Sequence, residues 1–128
     1  NKAEGRSTLE LFLQYFKLKA PDVKAQVVIG DNQQGIKTVS GNPGAIGYVS
    51  IGTAEYEVED GTPIKLLPIQ GVAATVANVR NRSFPLSRQL NLVTPAPANG
   101  LTKRFIDFVQ SRQVYDLIQD QFFVPVAR

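Results

Sequence analysis

Cysteine, histidine, methionine and tryptophan are all absent from this sequence. Without thiols or imidazoles it has no residues for a Cys/His zinc site, a disulfide framework or a nucleophile–histidine triad, and no cofactor or metal is implied. The missing cysteines leave the compartment undecided, because neither cytosolic nor exported bacterial domains of this size require disulfides. Long apolar runs are missing too: none approaches the roughly 18 residues of a membrane span. The opening Asn1-Lys2-Ala3-Glu4 is unlike a signal peptide, so any targeting segment is expected to have been removed or to lie upstream. Charge of one sign never forms a block. Fourteen Lys and Arg against eleven Asp and Glu leave +3, spread along the chain. With no basic cluster interleaved with aromatics, nucleic acid is not an expected partner.

What is present suits one folded unit. The chain has 128 residues, 43% hydrophobic and 20% charged, enough to bury a core without staples. Leu9, Phe12, Leu13 and Phe16 recur at i, i+3, i+4, i+7, and Leu11, Tyr15 and Leu18 widen the stripe, leaving Glu10, Gln14 and Lys17 for water. This predicts a helix from Leu9 to Leu18 lying on a sheet, ended by Pro21. Residues 25–29 read as a strand stopped by Gly30. Asp31 or Asn32 then caps a helix to about Val39, and 45–49 reads as a second strand.

Further on, 51–57 reads as a short helix or loop, 64–69 as an edge strand limited by Pro68, and 73–79 as a short helix. A strand at 90–93 and a Pro-rich loop at 94–100 lead to two closing helices, the second capped by Ser111, and an extended apolar tail at 122–126. The alternation of helix and strand gives an α/β class. Two portions are expected, 1–83 and 84–128, divided after the polar break Arg80-Asn81-Arg82-Ser83.

The candidate site is Gly5-Arg6-Ser7-Thr8, immediately before the first periodic helix. A helix start leaves backbone N–H groups unpaired and carries about half a positive charge, which suits an oxyanion. Gly5 lets the backbone approach, Ser7 and Thr8 bring hydroxyl donors, and Lys2 and Arg6 bring formal charge. The competing reading is a capping box, with Ser7 closing one N–H and Glu10 reaching back, as in helices that bind nothing. Arg80, Arg82 and Arg88 read as a solvated loop before a binding patch. Phe105, Phe108, Phe122 and Phe123 read as core or tail packing before a recognition surface. Glu55, Glu57 and Asp60 form an acidic turn with no spacing that implies acid–base work, so an enzyme is not expected.

Several segments resemble one family. Gly41-Asn42-Pro43-Gly44-Ala45-Ile46-Gly47-Tyr48-Val49, Ser83-Phe84-Pro85-Leu86-Ser87-Arg88, Phe105-Ile106-Asp107-Phe108-Val109 and Phe123-Val124-Pro125-Val126 occur in the order found in periplasmic phosphate-binding proteins, solute receptors of phosphate ABC transporters. The resemblance covers nearly the whole chain and corresponds to the family's C-terminal half. It implies a class II periplasmic-binding-protein-like lobe, a small mixed sheet flanked by helices, together with C-terminal helices belonging to the other lobe. It further implies phosphate or a related oxyanion as ligand, an ABC permease as partner, and a periplasmic or extracellular location. The implied anion contacts are Lys2, Gly5, Arg6, Ser7 and Thr8.

The match at the site is imperfect. Lys2 stands where the family has arginine, Arg6 where it has serine and Ser7 where it has glycine; only Thr8 is identical. A related branch carries Gly-Arg-Ser-Thr, which makes Arg6 the principal cation. The family's second lobe, with the carboxylate that reads the proton of hydrogen phosphate, has no counterpart here. The alternative is therefore a half-receptor that binds no ligand alone and pairs with a missing N-terminal lobe or a second copy of the chain.

Overall fold

A computed structural model describes residues 1–126. Its helices are α1 (Ser7–Phe16), α2 (Asn32–Ser40), α3 (Ile51–Glu59), α4 (Val76–Arg80), α5 (Gly100–Val109) and α6 (Tyr115–Asp120), with single 3-10 turns at Ala20–Asp22 and Arg112–Val114. The chain divides into two compact units, Asn1–Ser87 and Arg88–Arg128.

In the first unit the core is small: Leu9 of α1, Ile36 of α2, Ala54 of α3 and Phe84 are its buried hydrophobic residues. Around it Phe12 stacks on Tyr48 at 4.1 Å and 7°, which fastens α1 to the Gly47-Tyr48-Val49 segment. Gly35 brings α2 close to two extended segments. A Cβ there would lie 2.5 Å from Ile29 Cδ1 and 3.0 Å from Val49 Cγ1, so the missing side chain is what permits the approach.

Helix α2 begins as read, with Asp31 Oδ1 accepting from the Gln34 N–H at 2.8 Å. Residues 51–59 resolve to helix. Helix α4 starts at Val76, later than expected. Thr75 Oγ1 accepts from the Asn78 N–H at 3.1 Å and Glu55 Oε2 from the Val76 N–H at 2.8 Å, and together these fix its first turn.

Helix α1 ends two residues before Leu18 and without help from Pro21. Lys17 turns left-handed at φ 55°, and the Leu18 N–H reaches back to the Leu13 carbonyl at 2.9 Å, a Schellman closure. Because the helix stops there, Phe16 and Leu18 are exposed, against the expectation that only polar residues face water. A lysine in the left-handed region carries a Cβ penalty that glycine does not. Lys17→Gly should therefore raise stability by roughly 0.5–1 kcal/mol, read as a rise of a few degrees in thermal midpoint.

The expected strands do not form ladders among the described residues. Residues 27–29 lie beside 1–3, giving one parallel bridge, Lys2 to Ile29, with Ala3 N–H to Ile29 carbonyl and Ile29 N–H to Asn1 carbonyl both at 2.9 Å. Ile69 and Val72 pair across Gln70 and Gly71, both at positive φ, a two-residue turn of the primed kind. Residues 45–49 and 90–93 are not in strand. The reason is physical: β-branched composition favours an extended chain, but a ladder needs a neighbouring backbone, and only 1–3 supplies one to 27–29.

The second unit is helical. Ser111 does not cap the closing helix; its hydroxyl donates back to the Phe108 carbonyl at 2.7 Å, and a 3-10 turn precedes α6. Tyr115 OH donates to the Val126 carbonyl at 3.0 Å, which ties the tail to α6. Phe105, Phe108, Phe122 and Phe123 are exposed, Phe105 by 60%, correcting the expectation of core packing. A unit of some forty residues cannot enclose the apolar face of its own amphipathic helix.

Candidate functional site

Helix α1 opens at Arg6, which is extended (φ −90°, ψ 125°) and makes no side-chain cap bond. The Arg6 carbonyl accepts from Leu9 N–H at 2.9 Å and Glu10 N–H at 3.3 Å, while the amides of Ser7 and Thr8 have no acceptor among the described residues. The capping box therefore does not form: the cap is one residue early, and neither the Ser7 hydroxyl nor Glu10 closes the helix end. Gly5, at φ 75° with nothing within 4 Å of a would-be Cβ, turns the chain into this position. Ser7 and Arg6 are exposed and Thr8 is half-buried. The amides, hydroxyls and guanidinium are thus reachable from solvent.

Lys2 is different. It keeps only 4% of its accessible surface, though the layer of protein over it is thin, and its Nζ donates to Asn32 Oδ1 at 2.7 Å. Burial pushes its ammonium below the ordinary lysine value of 10.5, with Asp31 pulling the other way and Arg6 adding to the depression. Arg6 also lies near the start of α2: a Cβ on Gly30 would stand 4.0 Å from its Nη2. Two cations from the chain's first six residues therefore gather beside the openings of α1 and α2.

The residues that organise this corner carried no site signal in the sequence. Asn32 Oδ1 accepts from Lys2 and, at 3.4 Å, from the Ser50 N–H, while its Nδ2 reaches Thr53 Oγ1 at 3.4 Å. Tyr48 OH accepts from the Lys2 N–H at 3.2 Å and donates to Asn1 Oδ1. The Gly-Tyr-Val segment, readable only as packing, thus clamps the backbone that presents Lys2. Burial and the Phe12 stack raise nothing chemical in Tyr48: desolvation moves its phenol upward, so it stays a neutral hydrogen-bonding group. An open groove of about 350 Å³ runs past Lys2, Leu9 and Pro21 but does not reach Arg6, Ser7 or Thr8.

The expected acidic turn is in fact the second half of α3, with Asp60 at its C-cap. Glu55 caps α4, and Glu57 accepts from Gln33 Nε2 at 2.8 Å and Thr62 Oγ1 at 2.7 Å, hydrogen bonds that hold its carboxyl below the usual range. Arg80, Arg82 and Arg88 are exposed. No cluster of three or more His, Cys, Asp or Glu able to hold a metal occurs among the described residues, and none of their helices is long and apolar enough to cross a membrane.

Residues 3–113 match the family model described as a PBP superfamily domain. The chain is 29% identical over 136 residues to the phosphate-binding protein PstS 2 of Streptococcus agalactiae serotype V, spanning 98% of this chain and 44% of that protein. It is 32% identical over 107 residues to PstS 2 of Streptococcus pneumoniae serotype 4 (83% and 35%), and 27% identical over 129 residues to the phosphate-binding protein PstS of Bacillus subtilis (99% and 41%). The chain thus spans less than half the length of these relatives. No solved structure matches it significantly.

Proposed function

We propose, from the premise that this chain belongs to the PBP superfamily, that it captures inorganic phosphate or a similar oxyanion at the start of α1. The observation that carries the reading is the pair of unpaired amides at Ser7 and Thr8, opened by Gly5 and preceded by Arg6, with Lys2 close enough to Arg6 to feel its charge. Backbone N–H groups, two hydroxyls and two cations would replace water around the anion, with charge-assisted hydrogen bonds stronger than neutral ones. No bond is made or broken, so the role is binding and not catalysis. In this reading 1–83 is the anion-binding portion and 84–128 a crossover segment with closing helices. The names of the relatives support phosphate as the ligand, and the motifs shared with periplasmic phosphate-binding proteins support a solute-binding role that delivers it to an ABC permease from the periplasm or cell exterior.

Calorimetric titration with phosphate and sulfate tests it. Arg6→Ala and Thr8→Ala are each expected to weaken phosphate binding about tenfold, the range of a single hydrogen bond to a charged group. A chain that takes up neither anion defeats the reading.

A second reading has its own observation. Within the second unit Leu90, Val93, Leu101 and Phe105 are strongly exposed, Val93 by 89%. Such apolar surface favours a module that pairs with another lobe or a second copy. Light scattering is expected to show dimers whose proportion does not respond to phosphate if pairing is the function; a monomer at all concentrations removes this alternative.

A further inference from the structure

Lys2 as a residue is nearly covered, yet the hydrogen-bonding acceptor of its ammonium among the described residues is a neutral amide, Asn32 Oδ1 at 2.7 Å. Buried lysines are ordinarily paired with a carboxylate, because an unpaired charge is costly to desolvate. Asp31, the neighbour of Asn32 in sequence, acts on Lys2 through space but forms no ion pair with it, and its Oδ1 accepts from the Gln34 N–H at the start of α2. An ammonium has three N–H donors, and Asn32 takes one of them. Asn32 is itself held from both sides, by the Ser50 N–H and by Thr53 Oγ1, each at 3.4 Å. It is therefore a fixed acceptor that orients the ammonium without neutralising it.

We infer that Asn32 is a positioning residue of the anion site: it fixes the Lys2 ammonium while leaving its charge unspent for a tetrahedral oxyanion. This rests on the proposed anion-binding reading and adds the charge logic of the site. An aspartate at 32 would have nearly the same shape and would consume the charge as an internal ion pair. The choice of amide over carboxylate thus separates a binding cation from a merely structural one.

The test uses the full 128-residue chain with inorganic phosphate as probe. Asn32→Asp is expected to lower phosphate affinity at least tenfold while leaving thermal stability unchanged or raised. A role for residue 32 in folding alone would give the opposite pattern. Asn32→Leu should weaken binding severalfold in the native background and have no effect in a Lys2→Met background, since its action runs through Lys2. NMR titration of the Lys2 side-chain amine without phosphate should show its pKa rising in Asn32→Asp and falling further in Asn32→Leu. Equal losses from Asn32→Leu with and without Lys2, or an amine pKa indifferent to residue 32, overturn the assignment even if the native chain binds phosphate. Failure of the native chain to bind any phosphate overturns the underlying reading, and the assignment with it.

Discussion

Lys2→Met is expected to weaken phosphate binding about a hundredfold, ~2.7 kcal/mol, while leaving the fold at least as stable as before. Both halves follow from one geometry. Lys2 is nearly covered as a residue and its ammonium is partly desolvated and met by a neutral acceptor, so the folded chain bears a desolvation cost that the unfolded chain does not. Methionine fills a similar volume without the charge, and replacing buried ionic groups by apolar ones of like size is often neutral or stabilising. The Asn32 oxygen keeps the Ser50 N–H as donor, so the exchange does not strand it. A bound dianion, in contrast, loses a charge-assisted hydrogen bond and a full positive charge.

The same geometry gives a pH signature. The folded-state pKa of Lys2 is lowered from 10.5 by desolvation first, with Asp31 opposing and Arg6 assisting. Below the folded value both states carry the proton and the burial cost is felt in full. Between the folded value and 10.5 only the unfolded state binds it, so stability contributed by this group rises with pH across that window and is lost as pH falls through it. The stability advantage of Lys2→Met should accordingly be greatest near neutral pH and shrink as pH climbs toward the ordinary lysine range. Urea unfolding of both chains at several pH values checks this. A Lys2→Met chain less stable than the native one at pH 7 contradicts the account of a charge held for binding.

Tyr48→Ala should cost about 2–4 kcal/mol of stability, in the range for truncating a largely covered aromatic. The ring stacks on Phe12 at 4.1 Å and so joins α1 to the extended 45–49 segment, while its hydroxyl holds the Lys2 N–H and Asn1. Tyr48→Phe keeps the stack and removes only the hydroxyl with its two neutral hydrogen bonds, so it should cost about 1–2 kcal/mol. Phosphate affinity should nonetheless fall with Tyr48→Phe, because the backbone of Lys2 loses its clamp. Chemical denaturation separates the two variants, and calorimetry reads the second effect. Equal losses of stability from Ala and Phe would locate the contribution in the hydroxyl and deny the stack its role.

Much of the candidate site's chemistry was legible along the chain, and its assembly was not. Gly5, Arg6, Ser7 and Thr8 announce themselves because a glycine, a cation and two hydroxyls precede a strong apolar period, a strictly local pattern. Whether Ser7 would spend its hydroxyl on a capping box was open, since Ser-Thr-Leu-Glu fits both readings; the backbone decided it by placing the cap at Arg6. Asn32 and Tyr48 were unreadable as site residues. They lie 30 and 46 positions from Lys2, and nothing in their local sequence records that separation.

Helices α1 and α5 were determined by the sequence itself through apolar spacing, and α2 through its Asp31 cap, because both signals act within a few residues of one another. The family motifs also belong to it, and so does the exclusion of thiol, imidazole and Cys/His zinc chemistry. Tertiary structure alone decided that the β-branched segments remain single extended strands bridged at isolated points, since a ladder depends on which backbone lies alongside. It alone decided too that the Lys2 charge is covered and met by an amide. Desolvation is a property of the enclosing packing, and no linear pattern specifies it.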